Sequence, residues 1–189
     1  MEARIVLKNE TSRADVSAFA WHQNWDIEGL SRDDDEPFRQ VWSTSPDMRT
    51  VVTYLEDPFV GLRYLVVQGP DAEATCAAIH RGLQTWHLDE ALRFLASAGD
   101  RDEKVHGVYV TAVAAPPGEE DERVLAAFRA VSGDDEVDAR HALLIGIAYL
   151  GHWGSLRALA TEIHRDDDAA SVRRDAGFLL EGLDLPEYS

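Results

Sequence analysis

The sequence predicts an α+β protein in which a small N-terminal antiparallel β-sheet packs on a C-terminal stack of α-helical hairpins. Three observations predict it. Up to about residue 69, apolar and polar side chains alternate with the period of two that a half-buried strand needs. From Gly69-Pro70 onward the period lengthens to about 3.6, the helical one. Acidic clusters at Asp71, Asp102-Glu103, Asp134-Asp135-Glu136 and Asp166-Asp167-Asp168 each precede a helical apolar run, at a spacing of about 31 to 34 residues, as stacked hairpins do. The expected division is 1–69 for the sheet with a covering helix and 70–189 for the helical region, together forming one compact body.

In the first part, Phe38 to Ser43 begins one strand. Thr50 to Leu55 alternates Val51, Thr53 and Leu55 against Val52 and Tyr54, and Val60 to Gln68 alternates Leu62, Tyr64 and Val66 against Leu65 and Val67. Ser45-Pro46-Asp47-Met48 and Glu56-Asp57-Pro58-Phe59 supply the turns between them. Arg4 to Lys8 is a candidate fourth strand. Ser12 to Gln23 suits a helix through Val16, Phe19 and Ala20, with Trp21 and Trp25 as an apolar cover over the sheet. Asp33-Asp34-Asp35-Glu36 is a solvated loop ending at Pro37.

The helical part opens with Asp71 capping a run through Ala74, Ala77 and Ala78 toward Trp86, paired with a second run through Leu88, Ala91, Leu92 and Leu95. A helix near Asp102 carries Val105, Val108, Tyr109 and Ala112 and stops at Pro116-Pro117-Gly118; its partner is Glu119 to Val131. Asp134 to Gly151 is almost wholly apolar after Arg140 and reads as the most buried helix. Leu156 to Ile163 follows, and Ala170 to Leu183 caps the stack, leaving 184–189 as a tail.

The run Ala170-Ser171-Val172-Arg173-Arg174-Asp175-Ala176 resembles the start of a HEAT-type repeat, in which a Val-Arg-x-x-Ala run follows an acidic turn; Glu136-Val137-Asp138-Ala139-Arg140-His141-Ala142 is a second copy. The resemblance covers about the last hundred residues and implies a protein-binding scaffold. An irregular helical bundle is the other reading. In such a stack the second helix of each hairpin lines the concave side. That makes Glu90, Arg93, Glu119, Arg123, Thr161, Glu162 and Arg165 the candidate binding residues, set against an ordinary solvated face with ion pairs.

The chain has 18 Lys and Arg against 35 Asp and Glu in 189 residues, a formal charge of −17. Such a field repels nucleic-acid phosphates and anionic lipid, so neither is an expected partner. It draws in a basic protein, and it also serves plain solubility. The lone Cys76 forms no internal disulfide, and no apolar run has signal-peptide or transmembrane length, which suits a cytoplasmic location.

Little in the sequence speaks for catalysis. Cys76 and His80 stand four apart on one helical face, as a nucleophile and base or as two metal ligands would, but a zinc site needs a further ligand and a thiol among alanines reads as core. The other histidines lack H-x-x-x-H or H-E-x-x-H spacing, and G-x-S-x-G, P-loop and G-x-G-x-x-G motifs are missing. Glu56-Asp57 at a strand end is the best place for a catalytic carboxylate. Trp21, Trp25 and Trp42 with Phe38 and Tyr54 suit core packing, or a ligand pocket. The expected function is a non-catalytic protein-binding module, an acidic immunity or inhibitor protein or an adaptor, with no cofactor and no metal. The alternative is a small enzyme or ligand-binding protein using the aromatic sheet or the Cys76/His80 pair.

Overall fold

A computed structural model describes residues 2–31, 37–44 and 49–185. The expected turn at 45–48 and the acidic loop at 33–36 lie outside the described residues. The fold is α+β, and the chain forms two compact units, Met1–His87 and Leu88–Ser189.

In the first unit, β1 (Glu2–Val6), α1 (Arg13–His22), β2 (Asp26–Ser31), β3 (Phe38–Ser43), β4 (Val51–Asp57), β5 (Leu62–Gln68) and α2 (Ala72–Gly82) follow in order. The strands make a five-stranded antiparallel sheet in the order β1-β5-β4-β3-β2. Its register places Ile5, Leu65, Val67, Val52, Tyr54 and Trp42 on one face, where α1 adds Val16 and Ala20 and α2 adds Ala72 and Ile79 to a single core. Ser12 and Asp15 close a reciprocal capping box on α1. Gly69 follows β5 at φ +134°, with its Cα so close to Arg49 and Thr50 that a Cβ would sit 2.3 Å from the Arg49 carbonyl oxygen. Only glycine fits there.

Three expectations change here. β2 was absent from the strand pattern because its two apolar residues, Ile27 and Leu30, are three apart; a bulge between Ile27 and Gly29 restores them to one face. Trp25 is buried as a cover, but Trp21 is 80% exposed and covers nothing. The boundary falls at His87 rather than residue 69, because α2 turns Ala72 and Ile79 toward the sheet. Residue Trp86 is outside α2, on the segment 84–86 that runs along β1.

The second unit contains α3 (Leu88–Ser97), α4 (Arg101–Ala114), α5 (Glu122–Ser132), α6 (Val137–Tyr149), α7 (Gly154–Asp166) and α8 (Ala170–Leu183). With α2 in the first unit, the hairpins pair one helix later than expected: α3 with α4, α5 with α6, α7 with α8. Helices α3, α5 and α7 pack consecutively in one row and α4, α6 and α8 in another. Helix α8 is therefore the second helix of the last hairpin, not an unpaired cap. The core between the rows centres on Phe128, Leu143, Ile147, Leu150, Trp153 and Leu156. Gly146 lets α6 approach α4, since a Cβ there would stand 3.2 Å from Val108 and 3.3 Å from Phe128.

Acidic residues at the helix starts do more than cap. Asp100 and Asp121 accept main-chain N–H bonds at the starts of α4 and α5, whereas Asp71 makes no side-chain cap on α2. Asp134 and Asp167, each two residues ahead of an N-cap, instead tie one hairpin to the next. Lys104 Nζ on α4 meets Asp134 at 2.7 Å, and Arg140 on α6 donates from Nε to Asp167 at 2.9 Å. Asp134 and Asp167 also accept N–H bonds from Glu136 and Ala169, at 2.9 and 2.8 Å. Lys104, Arg140 and Arg173 hold the same place, four residues past the N-cap, on α4, α6 and α8. Arg140 and Arg173 each donate back to the carbonyl of the aspartate in their own turn. The Arg140–Asp167 pair is buried on both sides, with 6% and 3% of its side chains exposed.

Candidate functional site

Of the strand-end carboxylates Glu56 and Asp57, Glu56 is held by its neighbours. Arg13 on α1 donates to both Glu56 oxygens, at 3.0 and 2.8 Å, and the buried Tyr54 hydroxyl donates to Oε1 at 2.7 Å. The Arg13 guanidinium lies 3.5 Å over the Phe38 ring. The Arg13 bonds hold Glu56 below the usual carboxylate range against some burial, so it stays ionised and its oxygens are occupied. Burial first, then the bond to Glu56, pushes Tyr54 well above the ordinary phenol range. A cleft of about 520 Å³ opens on this cluster, lined by Glu56 and Asp57 themselves with Phe38, Pro58, Leu62 and Arg63, and Asp57 Oδ1 accepts from the Phe59 N–H at 2.9 Å. Trp25, Trp42 and Tyr54 belong to the core instead of lining it.

In the Cys76/His80 pair the thiol is free and half-buried, and the imidazole is held by its neighbours. Burial raises the Cys76 thiol, which disfavours the thiolate a nucleophile or ligand needs. His80 stacks on His87 with centroids 4.3 Å apart, and its Nδ1 is 2.8 Å from Thr85 Oγ1. Burial, then the His87 charge, lowers the His80 pKa. Among the described residues there is no group of three or more His, Cys, Asp or Glu able to hold a metal ion, and no helix is long and apolar enough to cross a membrane.

One arrangement in the second unit was missed. His141 on α6 lies 3.2 Å from Ser171 Oγ through Nε2 and 3.2 Å from Asp175 Oδ2 through Nδ1, both on α8. These are the residue types of a hydrolase relay, but Asp175 is shared with Arg174 at 2.9 Å and none of the clefts described borders Ser171. It cross-links α6 to α8. The partners are thirty and more positions apart, which hid the contact from motif spacing.

The candidate binding residues all fall on the α3–α5–α7 row or its edge. Glu90 and Arg93 are on α3, Glu119 is in the connection before α5, Arg123 is on α5, and Thr161, Glu162 and Arg165 are on α7. The row is the first helix of each hairpin, not the second as expected. Its candidate cations already have partners: Arg123 joins Asp89 of α3 at 2.6 Å to Asp121 at 2.7 Å, Arg165 binds Asp166 at 2.5 Å, and Arg93 donates to the Asp89 carbonyl at 3.1 Å, while Arg129 on α5 is exposed. Arg123 is held above the ordinary guanidinium range by its bond to Asp121 first and to Asp89 next. The Thr161 hydroxyl donates to the Arg157 carbonyl at 2.9 Å. Exposed Glu119 and Glu122 have no paired cation among the described residues.

Two clefts of about 250 Å³ each run along this row. The first, between α3 and α5, combines the apolar Leu95, Ala127, Ala130 and Val131 with the Lys104–Asp134 ion pair. The second, between α5 and α7, combines Leu159 and Ile163 with Glu162, Asp166 and Asp167. Compared with known proteins, the chain matches no family model, no curated protein and no solved structure.

Proposed function

We propose that the chain is a non-catalytic protein-binding module whose second unit is a HEAT-like stack and whose partner is a basic protein, engaged along the α3–α5–α7 row. The observation that carries this reading is how the second unit uses its basic residues. Lys104 and Arg140 bind the hairpins to one another, Arg173 ties α8 to its own turn, and Arg123 and Arg165 are held by neighbouring aspartates. The net charge left on the outside is acidic, and it borders a cleft with an apolar floor beside the Lys104–Asp134 pair, followed by one lined by Glu162 and the paired Asp166 and Asp167. A basic side chain beside an apolar anchor complements that order. The aspartate-to-cation links at one position in successive hairpins support the HEAT-like reading. The held Glu56 and His80 side chains and the raised thiol of Cys76 favour binding over catalysis.

Within this reading, an immunity or inhibitor protein that masks a cytoplasmic basic toxin fits the charge and size, and an adaptor fits the scaffold. Capture of partners from the native host's lysate tests it, with bound proteins identified by mass spectrometry at low and at physiological salt. A single stoichiometric basic protein is expected to survive the higher salt. A set of proteins that all wash off would make the acidity a solubility device. Co-expression then separates the two versions: a toxin is silenced by the chain, and an adaptor's partner is not.

A further inference from the structure

The sheet of the first unit has two edges, and they are treated differently. Along β1, the segment 84–86 adds a bridge between Leu7 and Thr85, with Lys8 N–H donating to Gln84 at 3.0 Å and Trp86 N–H to Val6 at 2.8 Å. That edge is covered. Along β2, the only neighbour among the described residues is β3, so the outer main-chain groups face outward without a strand partner. An open edge is a template for a further strand, and proteins usually blunt it with lysine, proline or an inward-pointing charge. β2 has a bulge between Ile27 and Gly29, which also serves as such a device, but no lysine, proline or inward-pointing charge on its apolar side.

The side chains say what kind of strand would fit. Ile27 is in register with the buried Trp42, and Leu30 with the buried Gln40, so both continue the core face of the sheet. They are nevertheless 68% and 53% exposed. The apolar face of the sheet is thus wider than the helices that cover it. On the opposite face stand Asp26, in register with Ser43, and Glu28, whose Oε1 accepts from Ser43 Oγ at 2.7 Å. The edge presents apolar residues on one side and carboxylates on the other.

We propose that β2 is a docking edge for an extended basic segment of a partner protein, which adds as a sixth strand. Its side chains alternate, apolar ones packing on Ile27 and Leu30 and Lys or Arg facing Asp26 and Glu28. Charge decides between this occupant and a second copy of the chain. A β2–β2 pair would bring two sets of Asp26 and Glu28 together between molecules of charge −17, whereas a basic strand neutralises them. This inference rests on the first unit alone and stands apart from the reading of the helical row.

The test uses the full chain and three fluorescent octapeptides: one alternating valine and lysine, one of the same composition with its valines and lysines in two blocks, and one alternating valine and glutamate. Anisotropy should show binding of the first, at least tenfold weaker binding of the second, and none of the third. The Ile27→Lys/Leu30→Lys variant, both positions being exposed, should keep its circular dichroism spectrum and lose at least tenfold in affinity for the first peptide. Asp26→Lys/Glu28→Lys should lose a similar factor and the salt dependence with it. Hydrogen exchange should slow in β2 when the first peptide binds. Equal affinity for the alternating and block peptides, or unchanged affinity in the Ile27→Lys/Leu30→Lys variant, would overturn the proposal. So would a dimer in light scattering that the same variant abolishes, because the edge would then belong to a second copy.

Discussion

The two units solve the same problem, holding one element in register on the next, by opposite means. In the first, register is set by the main chain: β3, β4 and β5 pair residue for residue, and the side chains that follow, from Trp42 to Val52 to Val67, need only be apolar and fill the space. Its strongest polar cluster, Arg13 with Glu56 and Tyr54, sits at the border of the core. In the second, no main-chain ladder joins one helix to another, so side chains must do it. There the unit buries charge, Arg140 and Asp167, in the gap between hairpins. A buried ion pair adds little net stability over apolar replacements but specifies which arrangement forms. The difference teaches that the helical unit fixes its stacking with a buried ion pair, while its acidic exterior comes from the excess of Asp and Glu over Lys and Arg.

Removing one side of the buried pair should break this comparison most strongly. Arg140→Ala leaves Asp167 buried and unpaired, and chemical denaturation should show a loss of about 3–5 kcal/mol. If the pair serves specificity, Arg140→Met with Asp167→Leu should recover most of that loss. It should also broaden side-chain NMR signals in the second unit as the stacking becomes less unique. Recovery with sharp signals would assign the pair no role in registry.

A smaller effect is expected in the first unit. Tyr54→Phe removes one hydroxyl that bonds Glu56, while Arg13 still holds both carboxylate oxygens, so it should cost about 1 kcal/mol. The pH dependence sharpens it. Tyr54 is raised above its ordinary value, so its contribution is intact below about pH 10 and is lost as pH rises beyond that. Tryptophan-monitored melts between neutral and strongly alkaline pH should fall less steeply for Tyr54→Phe than for the parent.

The smallest stability change belongs to Lys104→Met. Lys104 holds the same place on α4 as Arg140 does on α6, but its link to Asp134 is partly open to water, with 26% and 20% of the side chains exposed. Solvent screens such a pair. The variant should shift the denaturation midpoint far less than Arg140→Ala, and an equal shift would mean that position, not burial, sets the cost.

Much of this was legible in the chain. The strands β3 to β5 and all the helices of the second unit followed from periods of two and 3.6, because each has one face in a core. What was lost shows where pattern fails. β2 hid because a bulge puts Ile27 and Leu30 on one face despite odd spacing. The hairpin register slipped by one helix because α2 has the amphipathic pattern of its neighbours, and nothing in that pattern says whether a sheet or a helix lies opposite. The candidate cations Arg93, Arg123 and Arg165 read as a solvated face, while their partners, Asp89 for Arg123 above all, are fixed only by packing. One signal was available: an aspartate six residues before an arginine occurs at Asp134 to Arg140 and again at Asp167 to Arg173, where the arginine bonds its own turn and the aspartate takes a cation from the preceding hairpin.

The most direct test of the central claim is salt-resistant capture by the wild-type chain beside a Glu119→Lys/Glu122→Lys/Glu162→Lys variant. All three positions are exposed, so circular dichroism and Tm should not change. The account predicts a basic partner held stoichiometrically at physiological salt by the wild type and lost from the variant. Retention of that partner by the variant at the same level would contradict it, because the α3–α5–α7 row would then play no part in binding.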